Sequence, residues 1–260
     1  MGHVDYTESG NGHKVVLLHS SASNMRQWQK LVDTFSDQFH FIMINLIGYG
    51  NTTPWSKTQP QRLEDQVQLL KGLPIIKNDH FSIVGHSFGA SVAMKAAQYF
   101  GEQIKNLILI EPNPFYLLKY EDKQEVYNEA FLLSQKIKMH YHKDWMEAVR
   151  YFAEYWRGKD SWTKLSLNQK EKFAQILKPN YHEWDPVLNE KTSISEWRVS
   201  LPKQTCLITA RDTVRTIKEL TEFFKKYCPN WNFETIKHGG HMAPVTNFEI
   251  VNPIIIKNLM

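Results

Sequence analysis

A serine between two glycines is the feature of this sequence best suited to chemistry. Residues 85–89 read Gly-His-Ser-Phe-Gly, directly after the apolar run 81–84 and directly before a run of small residues that begins at Ala90. A tight turn from a strand into a helix would hold the Ser87 hydroxyl at the edge of a sheet, with the helix N-terminus behind it. The spacing therefore predicts that Ser87 is a nucleophile.

A serine hydroxyl needs a base, and the base needs a carboxylate that orients it. These partners are expected further along the chain, first the acid and then the histidine. Asp212 follows the apolar run 205–209, and His241 lies in the glycine-containing segment 238–242 after the last apolar run. Their order and their places after predicted strands favour a catalytic triad of Ser87, Asp212 and His241.

Two other residues compete for these roles. His238 lies three residues before His241, but the two glycines between them favour the later histidine as the base. Glu111 also ends a predicted strand and is an alternative source of the carboxylate. We prefer Asp212, and we then expect Glu111 to shape the pocket or to stabilise the loop that follows it.

Acyl transfer also requires hydrogen-bond donors for the developing oxyanion. The backbone N–H of Phe88, directly after the nucleophile, is the first expected donor. The second should come from the loop after an early strand, which here is the segment 19–24. We expect the N–H of Ser21 to be this second donor.

The order of apolar runs predicts an α/β fold that positions these residues. Short runs rich in β-branched or aromatic residues indicate strands buried on both faces, and they lie at 15–18, 41–46, 81–84, 107–110, 205–209 and 232–236. Apolar residues at helical spacing occur between several of these runs. Strands that alternate with helices predict a mostly parallel sheet flanked by helices.

The alternation stops between residues 112 and 200, where we predict helices and no strand. Apolar residues recur at helical spacing in 121–139, in 144–157 and in a third segment that Pro179 ends. Two pairs of residues are expected to cap the N-termini of the second and third helices, namely Asp144 with Glu147 and Ser166 with Gln169.

This helical segment is interpreted as an insertion. We predict a core domain made of residues 1–111 and 201–260, and a helical cap made of residues 112–200. The cap holds 16 of the 33 aromatic residues of the chain. Because ligand pockets are mostly apolar, these aromatic side chains are expected to form the walls of a substrate pocket.

Composition excludes several classes of protein. The chain has 260 residues, of which 42% are hydrophobic and 22% charged, so it is not wholly disordered and fits one large domain or a domain with an insertion. Its 31 basic and 27 acidic residues are spread along the chain, without the basic stripe that nucleic-acid binding requires. Every apolar run is far shorter than the ~20 residues of a membrane-spanning helix. The N-terminus carries no apolar segment typical of a secretory signal.

The two cysteines and the glycines point to no cofactor. Cys206 and Cys228 lack the spacing of metal ligands, and two reduced thiols predict a cytoplasmic protein. The glycines at 48 and 50 are not followed by the third glycine and the helix that a dinucleotide site needs. We therefore predict neither a metal nor an organic cofactor.

Together these motifs resemble those of α/β-hydrolases with a helical cap, from residue 15 to residue 244. The matching pieces are His19-Ser20-Ser21 in place of the usual His-Gly, residues 45–52, residues 85–89, Arg211-Asp212 and Gly240-His241. The resemblance implies the α/β-hydrolase fold, a triad of Ser87, Asp212 and His241, and a lid over the site. This sequence has Asn45 where many relatives have Asp, a change expected to affect a structural hydrogen bond. A serine nucleophile argues against haloalkane dehalogenases and epoxide hydrolases, in which that residue is Asp.

The predicted activity is that of a serine hydrolase. Ser87 would attack a carbonyl carbon, His241 would move the proton to the leaving group, and the acyl-enzyme would then be hydrolysed by water. The expected substrate is the carboxylic ester of a small apolar acyl or aryl compound, with thioesters and C–C bonds of β-diketone type as alternatives. Because a fold does not determine function, a ligand-sensing or partner-binding homologue with vestigial catalysis is the second hypothesis.

Overall fold

The computed structural model describes residues 2–120 and 123–260 of the chain. Within these residues seven strands form one sheet in the order β1-β3-β2-β4-β5-β6-β7. The strands are β1 (Tyr6–Ser9), β2 (His13–Leu18), β3 (Phe39–Ile44), β4 (Phe81–His86), β5 (Ile104–Ile110), β6 (Thr205–Ala210) and β7 (Asn232–Ile236). Strand β1 is antiparallel to β3, and all the other neighbours are parallel. The predicted mostly parallel sheet is confirmed.

Helices occupy both faces of the sheet and the segment between β5 and β6. The α-helices of the described residues are α1 (Gln29–Phe35), α2 (Leu63–Lys71), α3 (Phe88–Phe100), α4 (Gln124–His140), α5 (Trp145–Arg157), α6 (Leu167–Leu177), α7 (Asn180–Asn189), α8 (Ile194–Ser200), α9 (Arg215–Tyr227), α10 (Ala243–Thr246) and α11 (Phe248–Lys257). Short 3₁₀ turns connect several of them.

Alternate residues of a strand face opposite sides of the sheet. In β2, Val16 and Leu18 belong to one buried cluster and Val15 and Leu17 to another. Helices α2, α3 and α9 pack in the first cluster, and α1 and α11 pack in the second. Because helices cover both faces of the central strands, the apolar runs of these strands are nearly continuous and could be recognised in the sequence.

Strand β1 was not predicted. Its four residues, Tyr6–Ser9, include only one large apolar side chain, and three of the four are exposed. An edge strand that pairs on one side only needs no apolar run. The signal used to find the other strands is therefore absent from this one.

Five helices, α4 to α8, follow β5 and precede β6, and we call them the inserted helices. Residues 121 and 122 of the predicted helix 121–139 lie outside the described residues, and α4 begins at Gln124. Both predicted caps are present, since Asp144 accepts a hydrogen bond from Glu147 N and Ser166 forms a capping box with Gln169. The last two inserted helices are short, and α7 contains Pro186, so neither gave a clear sequence pattern.

Two further features of the described residues concern membrane spanning and the cysteines. No helix in the two described ranges combines the length and the apolar character that crossing a membrane requires. Cys206 and Cys228 are buried and form no disulfide. Burial raises the pKa of both thiols to about 12, so neither is a reactive thiolate near neutral pH.

Candidate active site

Ser87 lies in a strained turn between β4 and α3. Its φ of 56° and ψ of −119° are outside the conformations that a residue with a side chain usually adopts. The Ser87 N–H donates a hydrogen bond of 2.8 Å to Ile110 O, which ties the turn to the end of β5. The predicted turn from strand to helix is thus present, and it carries Ser87 at the carboxyl end of the sheet.

The two glycines that flank Ser87 are required by close packing. A Cβ atom on Gly85 would lie 2.4 Å from Gly89 O and 2.6 Å from the Cα of Ala90. A Cβ atom on Gly89 would lie 2.4 Å from His19 O and 2.5 Å from Leu18 O. Any other residue would therefore push α3 away from β4 or from the end of β2.

His241 meets Ser87 from the loop after β7. Its Nε2 lies 2.8 Å from Ser87 Oγ, and the His241 side chain is 3% exposed. His238, the other candidate for the base, is exposed. The structure therefore brings Ser87 together with the histidine that the sequence favoured.

The carboxylate beside His241 belongs to Glu111. Glu111 Oε2 lies 2.6 Å from His241 Nδ1 and accepts a hydrogen bond of 2.6 Å from Thr213 Oγ1. Glu111 Oε1 accepts a hydrogen bond of 2.8 Å from Ala210 N. Since the carboxylate can only accept, His241 Nδ1 carries the proton and Nε2 is left to accept from the Ser87 hydroxyl.

The Asp212 carboxylate makes no hydrogen bond to the His241 ring, which corrects the expectation that it orients the base. Its carboxylate accepts hydrogen bonds from Gly240 N at 2.8 Å and Gly239 N at 3.2 Å. Burial acts to raise the pKa of Asp212, but these hydrogen bonds outweigh it and hold the pKa below its usual value. The side chain lines a surface groove of about 720 Å³ on the outer side of His241. Asp212 thus supports the backbone that leads to His241, while Glu111 contacts the ring.

Backbone strain is concentrated around these groups. In the described residues, positive φ angles outside glycine occur at Ala22 (54°), Asn78 (62°), Ser87 (56°) and Glu111 (46°). Three of these four residues lie at the site, since Ala22 follows Ser21. Strained backbone persists where the surrounding structure holds it, and such positions cluster at functional sites.

A chain of hydrogen bonds joins the loop after β2 to the loop that carries His241. His86 Nε2 donates to His241 O at 2.8 Å, and His86 Nδ1 accepts from Gln27 Nε2 at 3.1 Å. Gln27 Oε1 in turn accepts from Ser20 N at 3.2 Å and Ser20 Oγ at 3.0 Å. Burial lowers the pKa of His86 well below its usual value, so that its ring is neutral as this arrangement requires. Neither His86 nor Gln27 was expected from the sequence to have a role at the site.

The two expected oxyanion donors lie close to each other. Phe88 is the first residue of α3, so its N–H has no acceptor within the helix. In the loop after β2, the N–H of Ser20 is bonded to Gln27 and that of Ala22 to the Tyr49 hydroxyl. Among the described residues the N–H of Ser21 has no acceptor. Ser21 therefore stays the candidate for the second donor, and it lines the same small cavity as Phe88.

This cavity lies between the inserted helices and the two expected oxyanion donors, and it is very small. Its volume is about 10 Å³, enough for about one water molecule. The inserted helices contribute Phe152, Trp156, Asn180, Glu183, Trp184 and Val187 to its walls, and the loop after β5 contributes Asn113. Trp156 stacks on the His241 ring with 4.0 Å between the ring centroids. Aromatic walls were predicted, but the three polar side chains among them were not.

Asn45 holds two segments near the site. Its Oδ1 accepts a hydrogen bond of 2.8 Å from Met25 N, and its Nδ2 donates one of 2.7 Å to Asp5 Oδ2. The role expected for this residue was a structural hydrogen bond, and both contacts are of this kind.

In the described ranges, no group of three or more His, Cys, Asp or Glu side chains is placed to hold a metal ion.

The loop after β2 should respond to pH through His19. The buried His19 ring has Nδ1 2.8 Å from Ser20 O and accepts from Leu46 N at 3.1 Å through Nε2, so a second proton would break the latter bond. Burial lowers its pKa from 6.5 to about 4. The unfolded chain therefore binds a proton before the folded protein does. We expect the contribution of His19 to the free energy of unfolding to be complete above about pH 6.5 and to fall by up to about 3 kcal/mol as the pH drops toward 4.

Urea unfolding of wild type and His19→Asn at several pH values between 7 and 4 checks this expectation. Asn keeps a donor and an acceptor but does not titrate, so the stability advantage of the wild type should shrink as the pH falls. An advantage of the wild type over His19→Asn that stays constant from pH 7 to 4 would contradict the assignment.

Comparison with known proteins gives the family. A family model of the alpha/beta hydrolase fold matches residues 14–248. Two solved structures are similar over nearly the whole chain. MenH from S. aureus has a TM-score of 0.76 at 17% identity and covers 100% of this chain and 98% of its own. An esterase from Exiguobacterium antarcticum has a TM-score of 0.76 at 16% identity and covers 98% of this chain and 95% of its own.

Curated relatives match a part of the chain. The human serine hydrolase-like protein is 27% identical over 128 residues, which are 48% of this chain and 63% of that protein. The biotin biosynthesis bifunctional protein BioHC of Teredinibacter turnerae is 31% identical over 41% of this chain and 18% of its own length. A pimeloyl-[acyl-carrier protein] methyl ester esterase of Nitrosomonas europaea is 24% identical over 45% of this chain and 44% of its own length. The matched stretch is thus less than two thirds of each of these relatives. Because the family model covers most of the chain, residues 14–248, and every loop of the candidate site, the chain belongs to the α/β hydrolase fold family.

Proposed function

We propose that this protein is a serine hydrolase that cleaves a carboxylic ester through an acyl-enzyme on Ser87. The observation that carries the proposal is the chain of hydrogen bonds from Ser87 Oγ to His241 (2.8 Å) and from His241 to Glu111 (2.6 Å). A nucleophile, a base and a carboxylate that orients the base are the three groups that acyl transfer needs. The proposed triad therefore contains Glu111 where the sequence favoured Asp212.

The reaction follows from the positions of the protons. His241 Nε2 takes the Ser87 proton as Oγ attacks the ester carbonyl, and Glu111 stabilises the imidazolium that forms. The N–H groups of Phe88 and Ser21 bind the oxyanion, each contributing about 3–4 kcal/mol. His241 then gives its proton to the alkoxide as the carbon–oxygen bond breaks. In the second half, water loses a proton to His241 and attacks the acyl-enzyme, which releases the acid and returns the proton to Ser87.

An ester is the substrate class that best fits the relatives and the walls of the cavity. Two of the proteins compared above are named as esterases, one of them a methyl ester esterase. Aromatic side chains of the inserted helices provide apolar contacts for an acyl or aryl group, with no charged side chain other than Glu183 among the walls of the cavity. A cavity of about 10 Å³ does not admit an ester, so the inserted helices must move before substrate binds.

The second candidate is a ligand-binding homologue that reacts at most once. The observation that favours it is the same closed cavity, together with the stacking of Trp156 on the proposed base. Such a protein would use the inserted helices as a surface that rearranges when a ligand binds. Repeated turnover distinguishes the two candidates.

A fluorophosphonate probe tests the proposal directly. We expect one equivalent of probe on the wild type, mapped to Ser87 by peptide mass, and none on Ser87→Ala. Ser91→Ala is the matched control, because Ser91 lies one turn further along α3 with its hydroxyl bonded to Asn113, and it should be labelled normally. Steady release of p-nitrophenol from short-chain esters should follow. Absence of labelling would refute the hydrolase, whereas labelling without turnover on any ester would favour the ligand-binding homologue.

A further inference from the structure

A buried carboxyl group in α7 has one oxygen without a hydrogen-bond partner. Glu183 is 3% exposed and lines the small cavity beside Ser21 and Phe88. Its Oε2 accepts hydrogen bonds from Ser21 Oγ at 2.5 Å and from Asn180 Nδ2 at 2.8 Å. Its Oε1 is buried and has no donor among the described residues. A buried acceptor left unpaired in a native protein calls for an explanation.

The orientation of the Asn180 amide, which Trp184 fixes, shows that the Glu183 carboxyl accepts a hydrogen bond from it. The indole N–H of Trp184 can only donate, and it does so to Asn180 Oδ1 at 2.8 Å. The Asn180 amide is therefore oriented with Nδ2 toward Glu183, where it donates. Burial raises the pKa of the Glu183 carboxyl, while hydrogen bonds from Ser21, Asn180 and Tyr49 act to lower it. Since Ser21 and Asn180 both donate to Oε2, and Oε1 has no partner with hydrogen-bond geometry, Oε1 is the acceptor available to a bound group.

The same cavity has a wall residue with an unpaired donor. Trp156 lines the cavity, and its indole Nε1 is buried with no acceptor in the described part of the chain. A group that satisfies both Glu183 and Trp156 must donate one hydrogen bond and accept another. A hydroxyl does both, whereas an ammonium group only donates and a carbonyl group only accepts.

We propose that Glu183 and Trp156 bind a hydroxyl group of the substrate, so that the preferred ester carries a hydroxyl close to the bond that is cleaved. This inference rests on the proposed hydrolase activity and names a substrate class for it. The volume beside Ser21 and Phe88, about 10 Å³, matches a group of the size of one hydroxyl. A substrate without the hydroxyl leaves two buried polar atoms unpaired, which we expect to lower kcat/KM by about 10- to 100-fold.

Esters that differ in one substituent test the proposal. A hydroxyl, ammonium, keto or methyl group is placed at the same carbon, on the acyl chain in one series and on the alcohol in another. The wild-type kcat/KM, measured by release of acid, should be about 10- to 100-fold higher for the hydroxyl ester than for the methyl and keto esters in one series. Equal kcat/KM values for all four substituents in both series would overturn the proposal. Glu183 Oε1 and Trp156 Nε1 would then be bound to water. A higher value for the ammonium ester would overturn it in favour of a cation site.

Glu183→Gln tests the residue without changing its shape. The Gln oxygen takes the hydrogen bonds from Ser21 and Asn180, which leaves its NH₂ group as a donor in place of Oε1. The preference for the hydroxyl ester over the keto ester should then fall to about one or below. Asp185→Asn is the matched control, because it removes the same charge from α7 beside Lys138, and it should keep the wild-type preference. An equal loss of preference in both variants would overturn the proposal.

Labelling separates this inference from the function on which it rests. Asp185→Asn should react with the fluorophosphonate probe at Ser87 as the wild type does, because Asp185 is paired with Lys138 and belongs to neither the triad nor the proposed hydroxyl site. A wild type that is labelled and turns over, but shows no preference among the substituents, refutes only the hydroxyl site. A wild type that is neither labelled nor active refutes the hydrolase itself.

Discussion

Glu111→Gln should lower kcat by about 10⁴-fold, while Asp212→Asn should lower it by less than about tenfold. The carboxylate that holds the base in its reactive tautomer contributes about 10⁴-fold in serine proteases, where its amide imposes the wrong tautomer. In this protein the oxygen that accepts the hydrogen bond from His241 Nδ1 belongs to Glu111, at 2.6 Å. A Gln amide there can present N–H to Nδ1, which would leave Nε2 protonated and unable to accept the proton of Ser87.

Asp212→Asn is a matched comparison, since it also exchanges a carboxylate for an amide beside the same loop. Its oxygen can still accept from Gly240 N, the shorter of the two present hydrogen bonds at 2.8 Å. Steady-state kcat and KM on one p-nitrophenyl ester, with the rate of fluorophosphonate labelling, measure both effects. A loss of several orders of magnitude in Asp212→Asn with an active Glu111→Gln would reverse the assignment and restore the triad favoured by the sequence.

Gly89→Ala should destabilise the fold and impair the site together. The new Cβ would lie 2.4 Å from His19 O and 2.5 Å from Leu18 O, and neither backbone carbonyl can rotate away. Relief requires α3 to shift from the end of β2, for which we expect a loss of about 3–5 kcal/mol in the free energy of unfolding. The shift would also displace the N–H of Phe88 from Ser21, and misplacement of this kind can lower kcat by about 10²-fold.

Gly158→Ala provides the control for Gly89. Gly158 has a φ of +94°, and no atom lies within 4 Å of the position of a Cβ, so only backbone strain opposes the substitution. Its ψ of 157° places it in a region that is adopted almost only by glycine, so we expect about 1–3 kcal/mol of destabilisation and unchanged kcat. Urea unfolding and ester turnover of the two variants measure the difference. Equal stability losses would show that contact with β2 is not what requires glycine at position 89.

The sequence predicted the sheet and two members of the site because each has a local signal. Continuous apolar runs marked the strands that are buried on both faces, and the glycines around Ser87 reflect atoms only 2.4 Å from a potential Cβ. His241 could be chosen over His238 from the glycines before it. Each signal is either the type of a residue next to the site residue in the chain or the apolar composition of a whole strand. Both can be recognised in the sequence without any tertiary contact.

The choice between Glu111 and Asp212 could not be made in the same way. Both follow neighbouring strands of the sheet, and both are close to the loop of His241. Three features of the folded protein decide which carboxylate forms the hydrogen bond to the His241 ring. They are the positive φ of Glu111 and its two hydrogen bonds, from Ala210 N and from Thr213 Oγ1. Thr213 is next to Asp212 in the sequence. The segment that was expected to supply the acid therefore holds the carboxylate of Glu111 in place instead.

Glu183 was missed for a related reason. It lies in a short helix whose polar residues outnumber its apolar ones, and nothing in the sequence indicates that it is buried. Its burial follows from the packing of α7 over the loop of Ser21, with which it shares a hydrogen bond of 2.5 Å. A sequence pattern can place a carboxylate on a helix, but the partner on a distant loop appears only in the folded protein.

The stacking of Trp156 on His241 links the rate of the proposed reaction to the movement of a helix. The indole ring belongs to α5 and covers one face of the base at 4.0 Å, so α5 must lift to admit an ester and return before Trp156 can bind the hydroxyl proposed above. At rest the nucleophile is thereby shielded from stray electrophiles and from solvent. Turnover cannot then exceed the frequency at which α5 lifts, a motion of the kind that takes microseconds to milliseconds. For a good substrate, the movement of this helix would be the rate-limiting step, and bond breaking would be faster.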